Sequence, residues 1–171
     1  MNHTMVALVE NKPGVLARVA LLFRRRNYNI ESLTVCQTES PDLSRMTIVV
    51  DTPESEVRSV EHNLRKLINV VDVENVTHQP VVARDLALIK VKADSATRAE
   101  ISQLTDIFRA KIVDVTADSV IVEVTGDEQK IDGFVDLVRS KGILEMARTG
   151  RVAMARGNGN GDVKANVTMS P

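Results

Sequence analysis

Residues 5–16 read MVALVENKPGVL, and this stretch decides the fold of the first half of the chain. An apolar run typical of a β-strand leads into the turn Pro13-Gly14, after which apolar residues from Val15 to Phe23 recur at helical spacing. A helix that starts at such a turn exposes its first backbone N–H groups. Together with the positive end of the helix dipole, these groups suit a small anion such as an amino-acid carboxylate. We therefore predict a small-molecule site at this turn.

The pattern continues as two successive units with the element order βαββαβ, the ferredoxin-like topology of an α+β fold. In the first unit we predict strands over 4–9, 30–38, 44–51 and 70–77, and helices over 14–26 and 54–69. In the second unit we predict strands over 85–92, 111–116, 119–125 and 143–149, and helices over 96–109 and 127–140. The predicted domains are 1–79 and 80–157, and 158–171, which lacks apolar periodicity, is predicted to be a flexible tail.

Two local features of the first unit carry further expectations. Thr52-Pro53-Glu54 is a typical helix start, with Thr52 as N-cap, and the helix that follows is expected to bury Leu67 and Ile68. The first strand is apolar on both faces, because Met5, Ala7 and Val9 alternate with Val6 and Leu8. Helices on one side of a sheet cover only one of these faces, so we expect a second copy or a partner to cover the other.

Composition and charge exclude several classes of function. A net charge of −1 lacks the basic excess of a general polyanion binder. An aromatic content of 2% leaves the central strands without the stacking residues of an RNA-recognition domain, so we expect no nucleic-acid partner. No run of about 18 apolar residues suggests a membrane span. The N-terminus lacks the features of a secretory signal, and we therefore expect a cytoplasmic protein.

Catalytic and metal-binding residue types are sparse. The single cysteine, Cys36, lies in a predicted strand and is expected to be a buried small hydrophobe. His3, His62 and His78 are scattered along the chain without the spacing of metal ligands. No acid–base pair or activated nucleophile can be assembled, so we expect no catalytic residue, metal or cofactor in this chain.

The residue types around the Pro-Gly turn match the groups of a free α-amino acid. Backbone N–H groups can bind its carboxylate, amide side chains can bind either of its charged groups, and apolar side chains can surround the remainder. Asn11 can also be a helix N-cap, and Asn29 a helix C-terminal turn residue; neither role excludes binding. The candidate residues are Gly14 and Val15 for the carboxylate, Asn11 and Asn29 as polar partners, and Leu16, Ile30 and Val35 for the apolar slot.

Several longer phrases resemble a known family. Residues 10–16 (ENKPGVL) resemble the glycine turn of ACT domains, which bind amino acids to regulate metabolic enzymes. Residues 28–35 (YNIESLTV) and 43–50 (LSRMTIVV) are similar to the small, regulatory subunit of acetolactate synthase, also called acetohydroxyacid synthase. Residues 107–115 (IFRAKIVDV) and 146–150 (MARTG) are similar to the C-terminal domain of the same family.

The resemblance implies a subunit without catalysis of its own. Its partner would be the large catalytic subunit, which carries thiamine diphosphate, a magnesium ion and FAD and condenses two pyruvates to 2-acetolactate, or pyruvate with 2-oxobutyrate. The small subunit would activate that partner and confer feedback inhibition by valine in branched-chain amino-acid biosynthesis, which supplies valine and isoleucine.

The resemblance also implies a homodimer in which valine lies between two ACT domains. One chain would contribute the glycine turn and the other chain the segment after the first helix. Carried onto this sequence, the valine-binding residues are Asn11, Gly14, Val15 and Leu16 of one chain, and Asn29 and Ile30 of the other.

A stand-alone ACT-type module that regulates another enzyme or a transcription factor is the alternative. A thiamine-dependent partner that co-purifies with the chain would distinguish the two. The sequence alone does not separate valine from leucine or isoleucine as the effector.

Overall fold

The computed structural model describes residues 1–157, and these form two α+β units. One unit comprises Met1–Val82 with the segment from Ala153, and the other comprises Ala83–Val152. Each has the element order βαββαβ and an antiparallel sheet, so the predicted fold class of two ferredoxin-like units is confirmed. The predicted flexible tail, 158–171, lies outside the described residues.

The elements of the first unit are β1 (Asn2–Glu10), α1 (Val15–Arg26), β2 (Asn29–Gln37), β3 (Leu43–Asp51), α2 (Glu54–Arg65) and β4 (Val70–Asn75). Its four-stranded sheet has the order β2-β3-β1-β4, with the two helices on one face. Met5, Ala7 and Val9 point to the helices and are fully or almost fully buried, whereas the residues between them face the other side of the sheet.

Helix α1 follows the predicted periodicity. Val15, Val19 and Phe23 recur every four residues and are all buried against the sheet. The helix ends at Asn27, which has a left-handed φ of 57° and donates its backbone N–H to the Arg24 carbonyl at 3.2 Å. Three arginines occupy the last turn, where the helix dipole favours positive charge.

Helix α2 differs from its prediction at both ends. The N-cap is Pro53, and the hydroxyl of Thr52 is buried without a hydrogen-bond partner in the described chain, so the predicted Thr52 cap is wrong. The helix ends at Arg65, after which the Val70 N–H bonds to the Leu67 carbonyl in a turn. Because helical periodicity stops there, Leu67 is only half-buried and Ile68 is 86% exposed, contrary to expectation.

The remaining elements are β5 (Val81–Lys92), α3 (Arg98–Ile107), β6 (Lys111–Val115), β7 (Ser119–Gly126), α4 (Glu128–Arg139), β8 (Ile143–Arg148) and β9 (Val152–Ala155), and all of β9 except Val152 belongs to the first unit. The sheet of the second unit has the order β6-β7-β5-β8, and β9 also pairs with β5. Ala87, Ile89 and Val91 are completely buried, as their alternation predicts. Ile107 has helical spacing with Ile101 and Leu104, which predicts a core position, but it is 73% exposed because α3 ends at that residue.

The sequence does not predict the short strand β9. This strand contacts the helix-free face of the first sheet. Val6 and Val49 lie on that face and are buried within the single chain. Arg45, on the same face, donates a hydrogen bond from its guanidinium to the carbonyl of Ala153 in β9 at 3.1 Å. The burial of Val6 therefore does not require the second copy that its pattern led us to expect.

An ion cluster in the second unit surrounds Asp85, whose side chain is buried at the start of the paired part of β5. Arg148 of β8 donates to Asp85 at 2.9 Å and to Asp132 of α4 at 2.8 Å. Hydrogen bonds to these two carboxylates outweigh the effect of burial and raise the pKa of Arg148 above its ordinary value. The cluster joins β5, β8 and α4, so Arg148 in the phrase MARTG has a structural role.

None of the helices in residues 1–157 is long and apolar enough to cross a membrane.

Candidate functional site

The turn between β1 and α1 is open and has the backbone geometry that requires glycine. Gly14 has a φ of +85°, and a Cβ built on it would meet no atom within 4 Å. The first helical hydrogen bond runs from the Arg18 N–H to the Gly14 carbonyl at 3.1 Å, so the N–H groups of Leu16 and Ala17 precede the helical ladder. The Val15 N–H makes a long bond of 3.4 Å to the Lys12 carbonyl. A small anion can approach the main chain here without meeting a side chain at residue 14.

Asn11 ties this turn to the loop between β2 and β3. Its backbone N–H donates to the Asp42 carbonyl at 2.7 Å, and its side-chain Nδ2 donates to the Pro41 carbonyl at 2.9 Å. The N-cap of α1 is Gly14, so the alternative reading of Asn11 as a helix N-cap is wrong. With Nδ2 engaged, Asn11 presents its Oδ1 as the atom that can accept a hydrogen bond, for example from an ammonium group.

A polar network lies beside the turn. Glu10 accepts a hydrogen bond from the Nδ2 of Asn69 at 2.5 Å and lies 3.2 Å from the ammonium of Lys12. The bond from Asn69, followed by the interaction with Lys12, lowers the pKa of Glu10. Arg18, one turn into α1, donates to the Oδ1 of Asn69. The network fixes the end of β1 from which the turn departs.

The residues predicted from the second cluster lie at the start of β2. Asn29 is its first residue, is exposed, and donates from Nδ2 to a carboxylate oxygen of Glu31. Asn27 forms the C-cap of α1, so the alternative role of Asn29 as the helix C-terminal turn residue is wrong. Ile30 is half-buried and packs against the core of the unit.

The apolar candidates are available to a ligand to different degrees. Leu16 is 44% exposed and Val35 is 36% exposed, whereas the side chain of Val15 is buried, so only its backbone is available at the turn. Cys36, expected to be buried, is exposed: it lies on β2, an edge strand of the sheet.

The six predicted site residues form two groups at opposite ends of one sheet. Glu10, next to the turn, pairs with Leu43 at the start of β3, whereas Asn29 pairs with Asp51 at its end. Eight strand steps separate these rows, a distance of roughly 27 Å at 3.3–3.4 Å per residue. The structure therefore brings together Asn11, Gly14, Val15 and Leu16, and it does not bring Asn29 and Ile30 to them within one chain.

Comparison with known families shows what this arrangement belongs to. Residues 5–72 match the ACT domain described as "AHAS small subunit-like", and residues 84–157 match the family described as the small subunit of acetolactate synthase. The chain belongs to the acetolactate synthase small-subunit family. The resemblance in the phrases around residues 10–16, 28–35 and 43–50 is thereby confirmed, and an ACT-like domain in this family supports a regulatory subunit.

Individual relatives span almost the whole chain. A probable acetolactate synthase small subunit of Archaeoglobus fulgidus is 60% identical over 92% of this chain and 99% of its own length. The acetolactate synthase small subunit of Mycolicibacterium smegmatis is 46% identical over 91% of each chain. The crystal structure of the small subunit from Thermotoga maritima superimposes with a TM-score of 0.86 at 43% identity, covering 93% of this chain and 99% of that one.

The sequence did not predict one cluster of side chains. His3 and His78 are far apart in the sequence, but each has its Nε2 at 3.6 Å from a carboxylate oxygen of Glu54. The three residues come from β1, the start of α2 and the segment after β4, so no local spacing could reveal them.

Proposed function

We propose that this family member is the regulatory subunit of an acetolactate synthase and binds valine between two copies of its ACT domain. The observation that carries the proposal is the placement of the predicted ligand residues. An open left-handed glycine lies at one end of the sheet, and Asn29 lies at the other. A site that uses both groups has to be assembled from two chains, which supports a homodimer.

In such a dimer, the turn residues of one chain and Asn29 and Ile30 of the other would contact different parts of the valine molecule. Backbone N–H groups at the start of α1 would bind the valine carboxylate, and the Oδ1 of Asn11 would accept from its ammonium. Asn29 of the other chain would complete the polar contacts. Leu16 and Ile30 would enclose the isopropyl group, which would lose contact with water.

Valine would act by favouring one arrangement of the dimer. A ligand shifts a conformational equilibrium only by its difference in affinity for the two states, and a coupling of about 1–3 kcal/mol corresponds to a 5- to 150-fold effect. In our proposal the valine-bound dimer holds the large catalytic subunit in its less active state, and the valine-free dimer activates it. Thiamine diphosphate, magnesium and FAD would belong to that large subunit, where pyruvate condenses to 2-acetolactate.

Reconstitution with the large subunit tests this proposal. We expect the chain to raise the rate of acetolactate formation and to make that rate fall when valine is titrated, with leucine and isoleucine as matched competitors. The large subunit alone, titrated with valine, is the control. An unchanged rate on adding the chain, or activation that valine does not reverse, would exclude the proposed role and favour a module that serves another enzyme or a transcription factor.

A further inference from the structure

The cluster of His3, Glu54 and His78 has the features of a metal site. The Nε2 of His3 lies 3.6 Å from one oxygen of Glu54, and the Nε2 of His78 lies 3.6 Å from the other. One ligand atom from each residue can be chosen so that all three lie within 4.8 Å of one another. The two imidazole rings are 6.5 Å apart and meet edge to face. Three donors thus converge on one point at the end of the sheet.

The burial of His3 without a hydrogen-bond partner is a second, independent observation that indicates a metal site. Its side chain is completely buried, and neither ring nitrogen has a hydrogen-bond partner within the described chain. A buried polar group without a hydrogen-bond partner destabilises the folded state, so such groups in folded proteins call for an explanation. A metal ion bound to Nε2 would supply the missing interaction.

The donor set indicates which metal. Two imidazoles and one carboxylate suit Zn²⁺ and its neighbours in the first transition row, whereas Mg²⁺ and Ca²⁺ prefer all-oxygen ligands. Tetrahedral zinc with bonds of about 2.0–2.2 Å places neighbouring ligand atoms roughly 3.3–3.6 Å apart. The distance of 3.6 Å from each Nε2 to one Glu54 oxygen is at the upper end of this range. The two distances end on different oxygens, so Glu54 has to rotate before one oxygen can face both histidines. The side chains of Glu54 and His78 are 62% and 63% exposed, so small rotations of both can complete the geometry around the buried His3.

We propose that His3, Glu54 and His78 bind one divalent transition-metal ion, with Zn²⁺ as the best-fitting ion and water in the fourth position. The ion would fasten β1 to the start of α2 and to the segment that follows β4. Its role would be structural, because the ion would join three separate segments of the first unit.

Zinc titration of the full-length chain, prepared without a polyhistidine tag, tests the proposal. We expect calorimetry to show one high-affinity Zn²⁺ per chain and Co²⁺ to give the intense visible absorption of a tetrahedral site. Saturating Zn²⁺ should raise the unfolding temperature, since an ion that binds only the folded state stabilises it. His78→Ala and Glu54→Gln should each weaken Zn²⁺ binding by at least about 100-fold, because loss of a direct ligand exceeds the 10- to 100-fold effect typical of outer-shell changes.

The chain supplies its own control in His62, an exposed histidine on α2 outside the cluster. His62→Ala should bind Zn²⁺ and Co²⁺ as the wild type does. Because His3 is buried and its replacement can prevent folding, the two exposed ligands carry the test. The proposal is overturned if the wild type shows no saturable binding, if His78→Ala and Glu54→Gln bind normally, or if His62→Ala loses binding to the same extent.

Discussion

Gly14 and Asn29 lie at opposite ends of the same β-sheet, separated by the full length of β3. Strand geometry places the two ends roughly 27 Å apart, much farther than one amino acid can reach. Both residues are nonetheless candidates for one ligand site. If both bind the same valine molecule, the site belongs to a dimer and each dimer carries two such sites by symmetry.

Replacement of Gly14 by aspartate should abolish sensitivity to valine while activation of the large subunit survives. A Cβ at residue 14 would meet no atom within 4 Å, so the new side chain clashes with no neighbour, although the φ of +85° strains it. Its carboxylate would occupy the position of the ligand's carboxylate and repel it. Valine titration of the reconstituted enzyme measures the effect. Gly157→Asp is the matched control, because Gly157 also has a left-handed φ and open surroundings, and inhibition should be unaffected there. Full inhibition of Gly14→Asp by valine would remove the turn from the site.

Truncation of Asn29 to alanine should weaken valine binding by about 1–3 kcal/mol, through loss of one polar contact to a charged ligand. Calorimetry on the isolated chain measures this directly. Asn2→Ala provides the control, because Asn2 pairs with the same Asp51 from the other side of β3 and is not a candidate ligand residue. Equal affinities for the two variants would mean that Asn29 does not contact valine.

Loss of Arg148 should destabilise the second unit. Arg148→Ala leaves the buried Asp85 without its closest cation, and we expect a loss of about 2 kcal/mol in the free energy of unfolding, since Arg148 is itself partly exposed. Arg139→Ala, which breaks the exposed Arg139–Asp136 pair, should change it by less than about 0.5 kcal/mol. Urea unfolding measures the free energy of unfolding of both variants. An equal, small loss for Arg148→Ala and Arg139→Ala would show that the Asp85 cluster does not stabilise the fold.

Acid should remove the stabilisation that ionised Glu10 provides beside the turn. The folded-state pKa of Glu10 lies below its ordinary value of 4.5, so the folded protein binds fewer protons than the unfolded chain. The stabilisation is therefore present above pH 4.5 and is lost as pH falls through the folded pKa. Glu10→Gln should unfold at a lower temperature than the wild type at pH 7, and the difference should shrink below pH 4.5.

An exposed carboxylate elsewhere in the same unit, Glu39, is the control for this pH effect. Glu39→Gln should leave the unfolding temperature close to that of the wild type at pH 7 and below pH 4.5. A difference in unfolding temperature between Glu10→Gln and the wild type that increases below pH 4.5 would contradict the account.

The sequence predicted what depends on local patterns. Alternation in β1 and the four-residue repeat of Val15, Val19 and Phe23 identified the core, and the Pro-Gly turn identified an exposed helix start. Apolar periodicity failed to predict burial where helices end: Ile68 lies three residues beyond the end of α2, and Ile107 is the last residue of α3, and both are exposed. Hydrophobic periodicity contains no information on where a helix ends unless a cap marks it.

Features built from distant segments were not predictable in the same way. The meeting of His3 with Glu54 and His78 depends on how β1, α2 and the segment after β4 converge. The separation of Gly14 from Asn29 follows from strand order and register, which the sequence alone did not supply. Only the resemblance to a family placed these two residues on different chains.

Intersubunit complementation is the most direct test of a valine site shared by two chains. Heterodimers would be formed from one Gly14→Asp chain and one Asn29→Ala chain, each carrying a different affinity tag, and valine binding would be measured by calorimetry. One of the two sites then combines an intact turn with an intact Asn29, so we predict one valine per heterodimer with wild-type affinity, while each parent homodimer binds weakly. Heterodimers that bind no better than the parent homodimers would contradict the account, because a site contained in one chain is damaged in both partners.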